Sequence, residues 1–248
     1  MVLAFYFGVI ASVALVIGGI AGTFWHPRRQ ITGVLLAFAS GTLISALAFE
    51  LFPQAVEAGG LVRSTVGLIS GAAVFVVFNT WLDRKVAPAA ATGDKAIETK
   101  VIREGAHRGM GFALLASVTL DGMPENLALG ASLSYEANLT LLMAIFASNF
   151  PESMVGAISM RQGGQKRSTV IIIWSGAALV LTLMVVLGNL TSAATSDNQL
   201  AFLLAFAGGA VIASLADTLM PEAFERGRPF NAFATAAGFV VSFVLAFG

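Results

Sequence analysis

ASGTLISALAFELFPQAVE, residues 39–57, returns as AGGAVIASLADTLMPEAFE at residues 207–225. At a constant offset of 168, Ala39/Ala207, Gly41/Gly209, Leu47/Leu215, Ala48/Ala216, Leu51/Leu219, Pro53/Pro221, Ala55/Ala223 and Glu57/Glu225 coincide. Each copy is an apolar, small-residue helix that carries one proline and ends on a glutamate. Helices of small residues resemble one another readily, because glycine and alanine serve the same close packing in many membrane proteins. The paired prolines and terminal acids favour a true internal repeat instead.

The rest of the chain says what kind of protein would carry such a repeat. Of 248 residues, 57% are hydrophobic and 11% charged, and mean hydropathy is +0.84. A soluble domain carries about 25% charged residues. Apolar runs long enough to cross a hydrocarbon core, about 20 residues each, recur along nearly the whole length. They predict helices at 2–24, 31–56, 60–82, 107–133, 138–161, 168–190, 200–225 and 229–247. The chain reads as a single domain over residues 1–248, an all-α polytopic membrane protein of eight transmembrane helices. The stretch 83–106, DRKVAPAAATGDKAIETKVIREGA, reads as a flexible polar loop. Cysteine is absent, which excludes disulfides and thiolate metal ligands. The first apolar run has no basic residues before it and continues to Trp25, so a cleaved signal peptide is not expected.

Basic residues set the expected orientation. Arg28, Arg29, Arg84, Lys85, Lys95, Lys100, Arg103, Arg108, Arg161, Lys166, Arg167, Arg226 and Arg228 fall at one set of alternate loops, and only Arg63 at the other. The positive-inside rule places the basic side in the cytoplasm and both termini outside. The expected location is the inner (plasma) membrane. Helix two then runs outward and helix seven inward. Three helices at each end would form an inverted pair around helices four and five, a 3+2+3 arrangement used by many secondary transporters.

The middle pair repeats too. LDGMPENLALG from Leu120 and ASNFPESMVGA from Ala147 align at an offset of 27, pairing Asp121 with Ser148, Pro124 with Pro151 and Glu125 with Glu152. Positions four apart share a helix face, so Asp121 looks the same way as Glu125, and Ser148 as Glu152. Each proline withholds a donor from the carbonyl four residues back and is expected to kink its helix at the level of the acids. A charged side chain near the bilayer centre costs about 2.5–3.5 kcal/mol on insertion scales. If helices four and five pack together, Asp121, Glu125 and Glu152 converge with Asn126, Ser148 and Asn149. Several carboxylates stay ionised there only if a proton or a cation joins them, and a divalent cation suits an all-oxygen set. Glu50 and Asp217 stand between gate residue and interhelical hydrogen bond, whereas Glu57 and Glu225 read as solvated helix ends. His26 and His107, the two histidines, lie at helix ends.

These motifs resemble those of the Zrt/Irt-like (ZIP) metal transporters, over essentially the whole chain: FELFPQA from Phe49, DGMPENLALG from Asp121, SNFPES from Ser148 and DTLMPEA from Asp217. The resemblance implies eight helices, outside termini, a metal site between helices four and five, and Glu125 and Glu152 as metal-binding glutamates. Asp121 stands where the family usually has histidine, Gly122 where it often has asparagine, Ser148 where it has histidine or glutamine, and Leu179 where many members have a glutamate. A second, adjacent metal site would thus be lost or weakened. The cargo implied is a divalent metal ion as substrate, Zn²⁺ by family default with Mn²⁺ or Fe²⁺ as options, because oxygen ligands discriminate less for zinc. The function expected is secondary transport toward the cytoplasm by alternating access, helices four and five shifting between the repeats. The alternatives are a carrier for a non-metal solute, a proton-coupled variant, or a metal sensor that does not transport. No HExxH, P-loop or nucleophile–base pairing occurs, so an enzyme is not expected. The partners expected are the lipid bilayer and a second copy of the chain, with no nucleic acid and no organic cofactor.

Overall fold

A computed structural model describes residues 1–25, 27–86, 122–134, 137 and 139–247, with the side chains of 82–86 outside that description. The described residues form helices and no strand. We number them α1 (Val2–Phe24), α2 (Arg29–Gly59), α3 (Leu61–Val86), α4 (122–132), α5 (Leu139–Gln162), α6 (Arg167–Ala193), α7 (Asp197–Gly227) and α8 (Asn231–Phe247). Six of them, α1, α2, α3, α5, α6 and α7, are long and apolar enough to cross a membrane. That fits a multi-pass membrane protein.

Burial has the sense expected in lipid. Large apolar side chains line the outside, among them Phe5 and Ile17 on α1, Val66 and Val77 on α3, and Phe233 on α8. Small hydroxyl residues lie inside, including Ser12, Ser40, Ser45, Ser132, Ser153 and Thr182. Continuous apolar surface of this extent is rare on soluble monomers. Their hydroxyls mostly return to the helix's own carbonyls, as Ser40 does to Leu36 and Thr182 to Ala178, which satisfies them without water.

The 168-residue repeat is present in the backbone. α2 is helical over Arg29–Ala46, widens into a π-helical turn at Leu47–Leu51 and resumes at Phe52–Gly59. α7 does the same over Asp197–Ser214, Leu215–Leu219 and Met220–Gly227, every boundary displaced by 168 residues. Proline is the cause. Pro53 and Pro221 bring no N–H and crowd the carbonyl four residues back. The helix accommodates each ring by slipping to five-residue hydrogen bonds, Phe52 N–H to Leu47 O and Met220 N–H to Leu215 O. The two helices pack antiparallel, with Gly33 against Gly227, Phe52 against Gly208, and Gly59 against Ala201. Beside the π turns an apolar hollow of about 300 Å³ is lined by four such pairs, Ile44/Ile212, Leu47/Leu215, Ala48/Ala216 and Phe52/Met220.

Two expectations about local structure change. α5 is one helix from Leu139 to Gln162 straight through Pro151, so the interrupted backbone falls on α2 and α7 rather than at this proline. α3 continues to Val86, four residues into the stretch read as loop, because nothing between Asp83 and Val86 breaks a helix before Pro88 does. Residues 107–121 of the fourth predicted helix, and 87–106 of the loop, lie outside the described residues.

Packing sorts the helices into two groups. α1 lies along α5 and α6, and α4 against α6; α2 lies along α7 and α8, and α3 along α7. Close approach is made by glycine, and it stays within a group. An added methyl at Gly18 or Gly22 would overlap carbonyls of α5, one at Gly130 that of Val185, one at Gly41 that of Thr235, and one at Gly209 that of Leu68. Five side-chain hydrogen bonds between chain segments obey the same division: Asn149 to Ala11 O, Thr182 to Gly8 O, Ser134 with Ser192, Asn79 to Asp217, and Gln30 to Arg228 O. Among the described contacts the groups meet chiefly where α2 crosses α5, and Ala128 and Leu129 of α4 share a buried cluster with Leu36 and Leu43 of α2. That seam holds two cavities, one of about 180 Å³ bounded by Phe38, Thr42, Ala144 and Ser242, and one of about 450 Å³ at its basic end.

Candidate functional site

The expected ligands divide between α4 and α5. On α4, Glu125 is 8% exposed and Asn126 fully buried. Asn126 donates from Nδ2 to the carbonyl of Gly122 at 2.8 Å, which fixes its amide on its own helix. Its Oδ1 is buried with no hydrogen-bond partner among the described residues. A buried acceptor without a donor costs about 1–3 kcal/mol, and a cation or a donor from elsewhere would satisfy it. Burial of this face follows from Gly122 and Gly130, which let α4 close on Leu181 and Val185 of α6.

On α5, Ser148 and Asn149 are buried and Glu152 half-buried. Ser148 donates to Ile145 O at 3.0 Å, leaving its oxygen lone pairs as acceptors. Asn149 donates across to Ala11 O on α1 at 3.0 Å, a tie that seats α5 on α1. Ser153 returns a bond to Asn149 O at 2.7 Å. Glu125 and Glu152 each engage another group.

Asp121 lies outside the described residues, as do His26 and His107. Among the described residues no three of His, Asp or Glu stand together as a metal-holding group. α4 closes on α6 through Gly122 and Gly130, and α5 lies along α1, while Ala128, Leu129 and Ala131 of α4 share one buried apolar cluster with Leu141, Ala144 and Ile145 of α5. Leu179 on α6 is 63% exposed, so the alignment that sets it opposite the family's glutamate puts that position on an outward face.

The remaining acids resolve individually. Glu57 and Glu225 are exposed, and Glu50 is half-buried within the π turn of α2. Asp217, exposed in the π turn of α7, accepts a hydrogen bond from Asn79 Nδ2 at 2.5 Å. Asn79 was not singled out by sequence reasoning. Its signal is the one amide in the apolar run VFVVFNTWL of α3.

Every one of the 14 Lys and Arg residues falls in a loop or the terminal turns of a predicted helix. No protein-family model matches the chain, and no curated protein matches it.

Proposed function

We propose that the chain is a secondary carrier of divalent cations of the ZIP type, with eight spans in a 3+2+3 arrangement around a site formed by Glu125 and Glu152 together with Asp121. The observation that carries this reading is a pair of Pro-Glu helices that set Glu125, Asn126, Ser148 and Asn149 in buried positions with Glu152 half-buried, and that leave Asn126 Oδ1 without a hydrogen-bond partner among the described residues. Carboxylates in such a place require a proton or a cation. The neutral oxygens beside them, Asn126 Oδ1 above all, add ligands that a proton does not need. Oxygen donors suit Mn²⁺ and Fe²⁺, while the affinity order still favours Zn²⁺ where geometry permits.

Glycine-tight contacts within each four-helix group, against a cavity-bearing seam between them, support movement of one group against the other as the access step. α5 would then carry its ligands together with α1, α4 and α6, rather than sliding as a pair with α4 alone. The glycine stripes are the fixed contacts in this reading.

Uptake into proteoliposomes, assayed over Zn²⁺, Mn²⁺, Fe²⁺ and Mg²⁺, tests the proposal. Saturable uptake of at least one ion, abolished in Glu125→Ala/Glu152→Ala, is the expected result. Binding without flux would make the protein a sensor. Proton flux with no metal uptake would make the carboxylates titrating groups of a different carrier.

A further inference from the structure

The larger cavity on the seam has a basic lining. It has a volume of about 450 Å³ and is lined by Pro27, Arg29 and Thr32 from the start of α2, Ile158 and Gln162 from the end of α5, and Arg226 from the end of α7. Two arginines thus line one space from two helices. Arg226 gives one nitrogen to Glu222 at 2.8 Å, and its remaining N–H groups are left for another acceptor. Arg29 has no ion pair among the described residues.

The positions of the two arginines differ in origin. Arg226 lies in the last turn of α7, where a cation is favoured by the helix dipole. Arg29 opens α2, the positive end, where a cation is disfavoured. α2 also begins without a side-chain cap, so its first N–H groups add to the same positive potential. Membrane topology explains why cations gather at this end of the helices. It does not explain two of them, with an uncapped helix start, around one hollow.

We propose that this cavity binds a tetrahedral oxyanion of the phosphate class, held by the Arg29 and Arg226 guanidiniums with the Gln162 amide as a further donor. Guanidinium groups present paired N–H donors that match phosphate oxygens and repel a cation. The volume leaves room for the anion and several waters, at about 30 Å³ each. Because α5 belongs to one four-helix group and α2 and α7 to the other, an anion here braces the two groups across their seam. This stands on the lining residues and does not depend on the cargo.

The absence of native cysteine makes a clean footprint possible. In Ile158→Cys, purified whole and titrated with inorganic phosphate, the thiol should be protected from alkylation in a saturable way. Adding Arg29→Gln or Arg226→Gln should raise the half-saturating concentration about tenfold or more, while Arg63→Gln, at the other end of the molecule, should leave it unchanged. Gln162→Glu, which adds a negative charge and removes no arginine, should weaken protection likewise and serves if an arginine variant does not fold. A second arm compares phosphatidylcholine vesicles with vesicles containing phosphatidylglycerol. Protection by phosphate identifies a free ion, and protection by phosphatidylglycerol alone a lipid headgroup; either supports the site. No protection in both arms, or protection indifferent to Arg29→Gln, Arg226→Gln and Gln162→Glu, overturns it.

Discussion

Asn79 donates to Asp217 at 2.5 Å across α3 and α7, and the positions 168 residues away, Phe247 and Phe49, meet instead as aromatic rings 5.6 Å between centroids. One contact of the repeat is therefore polar in one half and aromatic in the other. Phe49 also touches Phe239 and Phe243, so the aromatic version is a cluster. Equivalent backbones with unlike side chains make two orientations of such a repeat unequal in energy.

The polar contact should be modest and replaceable. Interhelical hydrogen bonds in membrane proteins average about 0.6 kcal/mol, so Asn79→Ala should cost about that much. A double-mutant cycle with Asp217→Ala, read by unfolding in detergent, should return a coupling of similar size. Asn79→Phe/Asp217→Phe should be more stable than either single phenylalanine variant, because the other half shows that two rings fit this geometry. Additive losses would show that the halves are not equivalent there.

Gly41 and Gly209 are equivalent in the same sense. Each sits where a Cβ would overlap a neighbouring helix's carbonyl, Thr235 O for the first and Leu68 O for the second. Forcing a methyl into a packed interface costs about 1–3 kcal/mol, so Gly41→Ala and Gly209→Ala should each lower the unfolding midpoint by a similar amount. Gly176→Ala, with no atom within 4 Å of the added carbon, should be neutral or stabilising by up to about 1 kcal/mol through helix propensity.

The helices were legible because lipid makes hydrophobic length a direct signal, and α1, α5 and α8 fall within a few residues of their expected ends. The π turns were hidden. Pro53 and Pro221 announce an interruption, and so does Pro151, yet only the first two widen the helix. Which helices pair was also not readable from spacing. Glycine stripes such as Gly18/Gly22 mark a close contact without naming the partner, and the partner turned out to be α5. At the site, Glu125 and Ser148 are buried on the faces drawn from the offset of 27, whereas the burial of Asn126 and Asn149, one residue round the helix, and the tie from Asn149 to Ala11 depend on how α4 meets α6 and α1 meets α5.

Asn126 separates a ligand from a packing residue. Replacing a buried amide whose Oδ1 has no partner among the described residues by leucine of similar volume removes the penalty of an unsatisfied acceptor, about 1–3 kcal/mol. Asn126→Leu should therefore hold or raise the thermal midpoint in the absence of metal. Metal uptake should nevertheless fall at least about tenfold, since one lost ligand oxygen costs about 1.4 kcal/mol or more. Retained uptake in a stable Asn126→Leu protein would remove Asn126 from the metal's ligands and leave the carboxylates to act without it.

The two-group architecture makes a sharper demand on motion. Thr42 and Ala144 face one cavity on the seam from α2 and α5, while Asn79 and Asp217 join two helices of the same group. In a chain with no other thiol, Thr42→Cys/Ala144→Cys can be bridged by a short bifunctional reagent, and so can Asn79→Cys/Asp217→Cys. If one group moves against the other, the seam bridge should arrest uptake in proteoliposomes, and cleaving a reducible bridge should restore it. The bridge within the group should leave most of the flux intact, because glycine contacts already hold those helices in register. Loss of flux from both bridges would mean that α3 and α7 also move past one another. Unchanged flux with the seam closed would rule out rigid-body motion across α2 and α5.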